Sequence, residues 1–81
     1  MSLRSLRSVI AGQPPATAEK SKTIFEAALL MKEKNKGALL VLEGARLVGI
    51  FTERDALLRV IAGRRDPSAT GLPDVMAPHP P

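Results

Sequence analysis

The residues best suited to chemistry lie in the stretch Gly49 to Asp55, whose sequence is GIFTERD. Thr52 and Asp55 stand three positions apart, the spacing at which a Thr hydroxyl and a carboxylate exchange hydrogen bonds with the first turn of a helix. The same spacing suits a ligand, because a carboxylate can accept from two vicinal hydroxyls and a helix start attracts phosphate. The pair is therefore a candidate for a structural cap, for a ligand contact, or for both.

Other reactive chemistry is sparse along the chain. The sequence has no Cys, which removes disulfides, thiolate metal sites and cysteine nucleophiles from consideration. His79 is the single His and lies among prolines, so it has no second imidazole with which to share a metal. No paired nucleophile and base and no glycine-rich phosphate loop can be found. We therefore expect a protein that is not an enzyme, holds no metal and requires no cofactor.

The composition is that of one small globular domain. The chain has 81 residues, of which 44% are apolar and 25% charged, and a chain of this length buries only about 60 to 65% of its unfolded surface. Its longest apolar runs, such as Ala38 to Leu42, are far shorter than a membrane span. Arg4 and Arg7 interrupt the N-terminus too early for a signal sequence. We expect a soluble, cytoplasmic protein whose stability benefits from a partner.

The net charge of +4 favours small anionic ligands over an extended nucleic-acid surface. The 12 Lys and Arg residues are scattered instead of clustered on one segment. Two Phe are too few for a base-stacking platform. Sequence-specific binding to nucleic acid is thus not expected, whereas attraction of a phosphate is.

The first half of the chain contains one strong helix signal. Thr23 and Glu26 have the spacing of a capping box, which predicts that a helix starts there. Asn35 and Gly37 are typical of its end. One face of this helix is apolar and is formed by Ile24, Ala27, Ala28 and Met31. Upstream, residues 2–10 have the periodicity of a short amphipathic helix, and residues 16–18 favour a short strand.

The second half predicts a hairpin followed by another helix. Two apolar runs, Ala38 to Leu42 and Leu47 to Thr52, are separated by residues 43–46, which include Gly44 for a tight turn. The second helix begins at Thr52, ends near Gly63 and has an apolar face formed by Ala56, Leu57, Val60 and Ile61. The order strand, helix, strand, strand, helix predicts an α/β (α+β) sandwich, with both helices on one face of a small sheet.

Residues 6–15 and residues 72–81 resemble each other. Their sequences, LRSVIAGQPP and LPDVMAPHPP, are identical at five of ten positions. Two proline-bearing loops can match in this way by chance. The alternative is that residues 1–71 form one unit with an N-terminal helix and residues 72–81 open a second, truncated unit. The face that a second unit would cover is then exposed, and we expect self-association through the sheet and helix faces, as a homodimer or a larger assembly.

Four stretches together resemble the CBS domain, the regulatory module named after cystathionine β-synthase. They are Val9 with Pro14 and Pro15, TIFEAALLM at 23–31, GALLVLEGARLVGIFTERD at 37–55 and VMAPHPP at 75–81. The resemblance implies a β-α-β-β-α unit that pairs with a second copy, as in tandem Bateman modules. It also implies a regulatory ligand in the cleft between the copies, an adenosine-containing molecule such as AMP, ADP, ATP or S-adenosylmethionine.

The resemblance further implies site residues, through the family pattern Gly-h-x-Thr-x-x-Asp, in which h is apolar. Asp55 would accept from the ribose hydroxyls, and Thr52 would reach the ribose or a phosphate. Arg54 would reach a phosphate if its side chain turns toward the cleft. The wall around the base would be formed by Gly49, Ile50, Ala38 and Thr17. The other interpretation is a structural dimerisation module with no bound nucleotide.

The sequence departs from the family pattern at the wall of the implied pocket. Lys36 precedes Gly37, where the family usually has an apolar residue, so the wall is polar or the side chain extends outward. Phe51 should point away from Ile50 and Thr52 by strand alternation. This strand then offers no aromatic ring to stack on an adenine.

Overall fold

The computed structural model describes residues 15–80, and the helix predicted over residues 2–10 lies outside this range. The elements are, in chain order, β1 (Thr17–Glu19), α1 (Ile24–Lys34), β2 (Ala38–Glu43), β3 (Arg46–Thr52), a second helix α2 in two parts (α-helical Glu53–Asp55 and π-helical Ala56–Ile61), a 3₁₀ turn (Leu72–Asp74) and β4 (Ala77–Pro78). The predicted β-α-β-β-α order and the α+β class are confirmed. Within the described range, no helix has the length and apolar character needed to cross a bilayer.

The four strands form one mixed sheet in the order β1-β2-β3-β4. β1 runs parallel to β2, whereas β2, β3 and β4 are antiparallel neighbours. The hairpin between β2 and β3 turns through Gly44, whose φ of 62° is a left-handed conformation that glycine adopts without a steric cost. Ala38 faces Thr52 across the hairpin, so β2 begins where β3 ends.

The core lies between the helices and one face of the sheet. Phe51 is fully buried, as strand alternation predicts. The other buried apolar residues of the strands and the two helices are Ala18, Leu39, Val41, Ile24, Ala27, Met31 and Val60. Burying a large apolar side chain contributes about 1.5 to 3 kcal/mol. A slip of one residue would turn this face to solvent, and burial therefore fixes the strand register.

The two ends of α1 follow the local sequence signals. The Thr23 hydroxyl accepts from the Glu26 N–H at 3.2 Å, and the Glu26 carboxylate accepts from the Thr23 N–H at 3.0 Å. The helix ends at Asn35, whose φ of 54° is left-handed. Its apolar face is narrower than predicted, because Ala28 is exposed.

The second helix differs from its prediction. From Ala56 onward it is a π-helix, in which the Ala62 N–H donates to the Leu57 carbonyl five residues earlier, at 3.0 Å. Val60 is buried, but Leu57 and Ile61 are 58% and 69% exposed. The prediction of a single apolar face was therefore wrong. Ala56 and Val60, four positions apart, take the side that meets the core, which leaves Leu57 and Ile61 on the outer side.

Residues 72–80, here termed the closing segment, complete the core and the sheet of this same unit. Leu72 and Val75 are 0% and 1% exposed. β4 pairs with β3 through Ala77 opposite Ile50 and through Pro78 opposite Gly49. The sequence predicts that these residues open a second unit. In the structure they close the first unit, and a role in a second unit stays a prediction.

The loop before the closing segment covers the start of α1. The N–H groups of Ile24 and Phe25 donate to the carbonyls of Thr70 and Pro67, at 2.9 and 3.0 Å. The third N–H of the helix, that of Glu26, already donates to the Thr23 hydroxyl. All three N–H groups at this helix start are therefore used within the protein.

Candidate functional site

The candidate site lies at the end of the sheet where β1 and β2 begin and β3 ends. Thr17 is the register partner of Leu40, and Leu40 is the partner of Ile50. Ala38 and Thr52 are partners in the next row of the same face. Because the residues between them point into the core, Thr17, Ala38, Ile50 and Thr52 share the face opposite to the core. The structure thus brings four of the predicted residues together.

Thr52 and Asp55 form a complete capping box at the start of α2. The Asp55 N–H donates to the Thr52 hydroxyl at 3.2 Å, and the Thr52 N–H donates to Asp55 Oδ2 at 3.0 Å. The Thr52 hydroxyl itself donates to the same oxygen at 3.1 Å. One carboxylate oxygen therefore receives both Thr52 donors. The Asp55 side chain is 15% exposed, so it is held against the protein while still reaching solvent.

The other carboxylate oxygen of Asp55 faces Arg59. The Arg59 Nε lies 3.7 Å from Asp55 Oδ1, a distance longer than a hydrogen bond. Oδ1 therefore keeps lone pairs for a further donor. Arg59 Nη1 also donates to the Val75 carbonyl at 3.4 Å. Arg59 is not among the residues predicted for the site, although the spacing of Asp55 and Arg59 is that of a helical i, i+4 ion pair.

The N–H groups at the start of α2 are only partly used. The Glu53 N–H donates to the Gly37 carbonyl at 3.0 Å, and the Asp55 N–H donates to Thr52. Between them, the Arg54 N–H has no acceptor among residues 15–80. The Arg54 side chain is exposed. A free N–H at a helix start, next to a guanidinium, is a favourable place for an anion.

Gly49 lies on the opposite side of β3 from Ile50 and Thr52. It is buried, and a Cβ at this position would collide with the Met76 side chain. The glycine is therefore needed for the close approach of the closing segment. The structure does not bring it to the face that carries the other predicted site residues.

Two open clefts adjoin the site. The smaller, of about 330 Å³, has Thr17, Lys34 and Lys36 in its lining, and the lysines give it a cationic border. The larger, of about 660 Å³, lies between α1 and α2 and is lined in part by Leu57 and Ile61. Lys36, the departure from the family pattern, borders both clefts. Residues 15–80 contain no group of three or more His, Asp and Glu that could hold a metal ion.

The sequence profile of the CBS domain family matches residues 6–62. The chain belongs to the CBS domain family. A CBS domain-containing protein of Bacillus subtilis (strain 168), YhcV, is 45% identical over 62 residues, which cover 76% of this chain and 44% of that protein. This CBS chain therefore spans less than half the length of that relative.

Solved CBS structures have the same fold. A protein with CBS domains from Burkholderia ambifaria MC40-6 is 32% identical with a TM-score of 0.77, over 95% of this chain and 58% of that one. A CBS domain protein from Pyrobaculum aerophilum, complexed with AMP, is 25% identical with a TM-score of 0.72, over 82% and 51%. A hexameric CBS-CP12 protein from bloom-forming cyanobacteria is 34% identical with a TM-score of 0.71, over 80% and 39%. CBS proteins are regulatory modules, and this chain is one of them.

Proposed function

We propose that this CBS domain senses an adenosine-containing nucleotide, of the AMP, ADP, ATP or S-adenosylmethionine class, in a cleft between two paired units. One observation carries the proposal. The sheet end that gathers Thr17, Ala38, Ile50 and Thr52 also carries the Asp55 carboxylate, which keeps one oxygen facing Arg59 without a hydrogen bond. The AMP bound to the Pyrobaculum aerophilum relative supports the choice of ligand class.

Asp55 would bind the ribose. Its Oδ2 is held by two donors from Thr52, which fixes the direction of Oδ1. A fixed carboxylate oxygen accepts from a sugar hydroxyl without first losing side-chain entropy. The cap and the ligand contact therefore do not compete, since they use different oxygens of one side chain.

The start of α2 would bind a phosphate. The Arg54 N–H has no acceptor within the described residues, and its guanidinium can form charge-assisted hydrogen bonds to phosphate oxygens. The net charge of +4 attracts an anion over a longer range. The phosphate contact at Arg54 would thus lie one residue before the ribose contact at Asp55.

The base would lie on the apolar side of the same sheet end. Ala38 and Ile50 are half-buried there, with Thr17 at the edge. One unit supplies one wall only, because the two helices of residues 15–80 pack on the other face of the sheet. A second unit would provide the opposite wall, and binding and pairing would then favour each other.

Self-association is the second part of the proposal. The helix side exposes large apolar residues that a monomer would leave in water, namely Phe25, Leu29, Leu57, Leu58 and Ile61. Each is 49% exposed or more. The hexameric assembly of the cyanobacterial relative supports an oligomer of this CBS unit.

Calorimetric titration tests the ligand. We expect saturable heat when AMP, ATP or S-adenosylmethionine is added to the chain at a concentration where it self-associates. Guanosine monophosphate serves as the control for AMP, because it carries the same ribose and phosphate and differs only in the base. Absence of heat from all three adenosine compounds, together with no shift in melting temperature, would contradict a nucleotide sensor and favour a purely structural module.

Sedimentation tests self-association through the helix side, which is distinct from the pairing over the sheet face that would form the cleft. The double substitution Leu57→Glu and Ile61→Glu places charges on the exposed side of α2 and should shift the chain toward monomer. Ser68→Glu with Ala69→Glu is the matched control, since both positions are exposed in a loop. If the native chain sediments as a monomer at all concentrations, self-association through this face is excluded.

A further inference from the structure

The Arg59 side chain is anchored on one side and open on the other. Its Nη1 donates to the Val75 carbonyl at 3.4 Å, and Val75 belongs to the core at 1% exposure. The Arg59 side chain itself is 55% exposed. A guanidinium carries five N–H donors in one rigid plane. One bond to the core therefore directs the group and leaves donors for a ligand.

The guanidinium lies beside the oxygen of Asp55 that the cap leaves unused. Arg59 Nε and Asp55 Oδ1 are 3.7 Å apart, too far for a hydrogen bond but close enough for charge attraction. The other oxygen, Oδ2, receives both donors of Thr52. The start of α2 thus presents a free acceptor and a free donor side by side, with a gap between them.

The gap has the size of one hydroxyl group. A hydrogen bond of about 2.7 Å from a hydroxyl to a carboxylate and one of about 2.9 Å from a guanidinium to the hydroxyl together exceed the separation of Arg59 Nε and Asp55 Oδ1. One oxygen can therefore lie within bonding distance of both groups. A hydroxyl also suits both charges, because it donates to the carboxylate and accepts from the guanidinium. A phosphate oxygen would only accept, and an amine would only donate.

The hairpin carries an arginine–carboxylate pair that lacks such a gap. Arg46 Nη2 lies 3.1 Å from Glu43 Oε2, and the two groups are directly hydrogen-bonded. Glu43 also pairs with Lys20 at 3.4 Å. The carboxylate of the hairpin is thus occupied by cations of the protein, whereas the carboxylate of Asp55 is separated from its arginine.

We propose that Arg59 is a ligand-binding residue and that Arg59 and Asp55 together clamp one hydroxyl of the ribose. The hydroxyl donates to Asp55 Oδ1 and accepts from the guanidinium. A nucleotide without this hydroxyl loses two charge-assisted hydrogen bonds at once, so the pair selects a ribonucleotide over the corresponding deoxyribonucleotide. This inference rests on the proposed adenosine ligand and adds the residue that selects its sugar.

Calorimetric titration with three nucleotides tests the clamp. The ligands are AMP, 2′-deoxyadenosine monophosphate and 3′-deoxyadenosine monophosphate. We expect the native chain to bind one of the two deoxy ligands more than about tenfold more weakly than AMP. Arg59→Met should lower this ratio at least about fivefold, because the bond from the guanidinium to the hydroxyl exists only with AMP. The lost attraction of the phosphate affects all three ligands alike and cancels in the ratio.

Two further variants separate the clamp from a general effect of charge. Arg46→Met is the matched control, since it removes the same charge from an arginine that also faces a carboxylate, and it should leave the ratio unchanged. Arg59→Lys keeps the charge, but one ammonium lacks the planar fork that serves both the Val75 carbonyl and the hydroxyl. The ratio should therefore fall in this variant too.

The outcomes distinguish this inference from the nucleotide proposal. An unchanged ratio in both Arg59 variants, with AMP still bound, would overturn the clamp and leave the nucleotide proposal standing. Equal affinity of the native chain for all three ligands would likewise overturn the clamp, together with the ribose contact of Asp55. No binding of AMP to the native chain would contradict the nucleotide proposal itself, and the clamp with it.

Discussion

Both helices of this CBS unit start with a capping box, but the surroundings of the two boxes differ. At α1 the Thr23 hydroxyl accepts from the Glu26 N–H at 3.2 Å, and at α2 the Thr52 hydroxyl accepts from the Asp55 N–H at 3.2 Å. In both boxes the carboxylate accepts from the Thr N–H at 3.0 Å. The local geometry alone therefore does not separate a cap from a binding site.

The difference lies in what surrounds each box. The first two N–H groups of α1 donate to the loop before the closing segment, and the Glu26 side chain is 49% exposed. At α2, Asp55 is 15% exposed and the Arg54 N–H has no acceptor in the described range. We infer that tertiary structure closes the first box to ligands and leaves the second one open, next to the sheet face opposite to the core.

The largest expected effect comes from loosening the loop that covers α1. Leu72→Ala removes a fully buried side chain and should destabilise the unit by about 2 to 4 kcal/mol in urea unfolding. Hydrogen exchange should accelerate more at the Ile24 and Phe25 N–H groups than at Glu53, because only the first two donate to this loop. Glu33→Ala, at an exposed position of α1, is the control and should change stability by less than about 0.5 kcal/mol. Equal acceleration at both helix starts would show that the loop does not distinguish the two boxes.

Removing either capping hydroxyl should destabilise the unit less than Leu72→Ala does, and the loss should be similar at the two helices. Thr23→Ala and Thr52→Ala should each lower the free energy of unfolding by about 1 kcal/mol. Only Thr52→Ala should also weaken AMP binding, because only that hydroxyl orients the Asp55 carboxylate toward the ligand face. Urea unfolding and calorimetry on both variants check this. A loss of AMP affinity in Thr23→Ala would remove the proposed contrast.

The smallest expected effect is the loss of unfolding free energy at acid pH. The backbone hydrogen bond from Thr23, followed by its side-chain hydrogen bond, lowers the pKa of Glu26 below its ordinary value of 4.5. The stabilisation from this box is therefore complete above pH 4.5 and is lost as the pH falls through the lowered pKa. Glu26→Gln should be less stable than the native chain at neutral pH and should approach it in strong acid. Urea midpoints between about pH 2 and pH 7 measure this, and a constant difference across that range would count against the assignment.

Local sequence signals predicted the caps and turns of the secondary structure, whereas tertiary contacts decided which side chains are buried. The Thr23 box, the turn at Gly44 and the left-handed Asn35 each depend on neighbours within a few residues, which is why the sequence predicted them. The outward side chains of Leu57 and Ile61 could not be predicted, because they depend on which side of α2 meets the core.

The candidate site shows the same division. The spacing of Thr52 and Asp55 predicted the cap, and strand alternation placed Ile50 and Thr52 on one face. The position of Gly49 beneath Met76 was not predictable, because it depends on the closing segment returning to the edge of β3. The ion pair of Asp55 with Arg59 has the i, i+4 spacing that is predictable from the sequence alone.

Titration of AMP into three chains tests the central claim most directly. The chains are the native protein, Asp55→Asn and Glu26→Gln, each at the same self-associating concentration. We predict that Asp55→Asn weakens binding about tenfold or more, because a hydrogen bond to a charged group contributes about 1.5 to 3 kcal/mol, and that Glu26→Gln binds like the native chain. Equal affinity in all three chains, or no binding to the native one, would contradict the account.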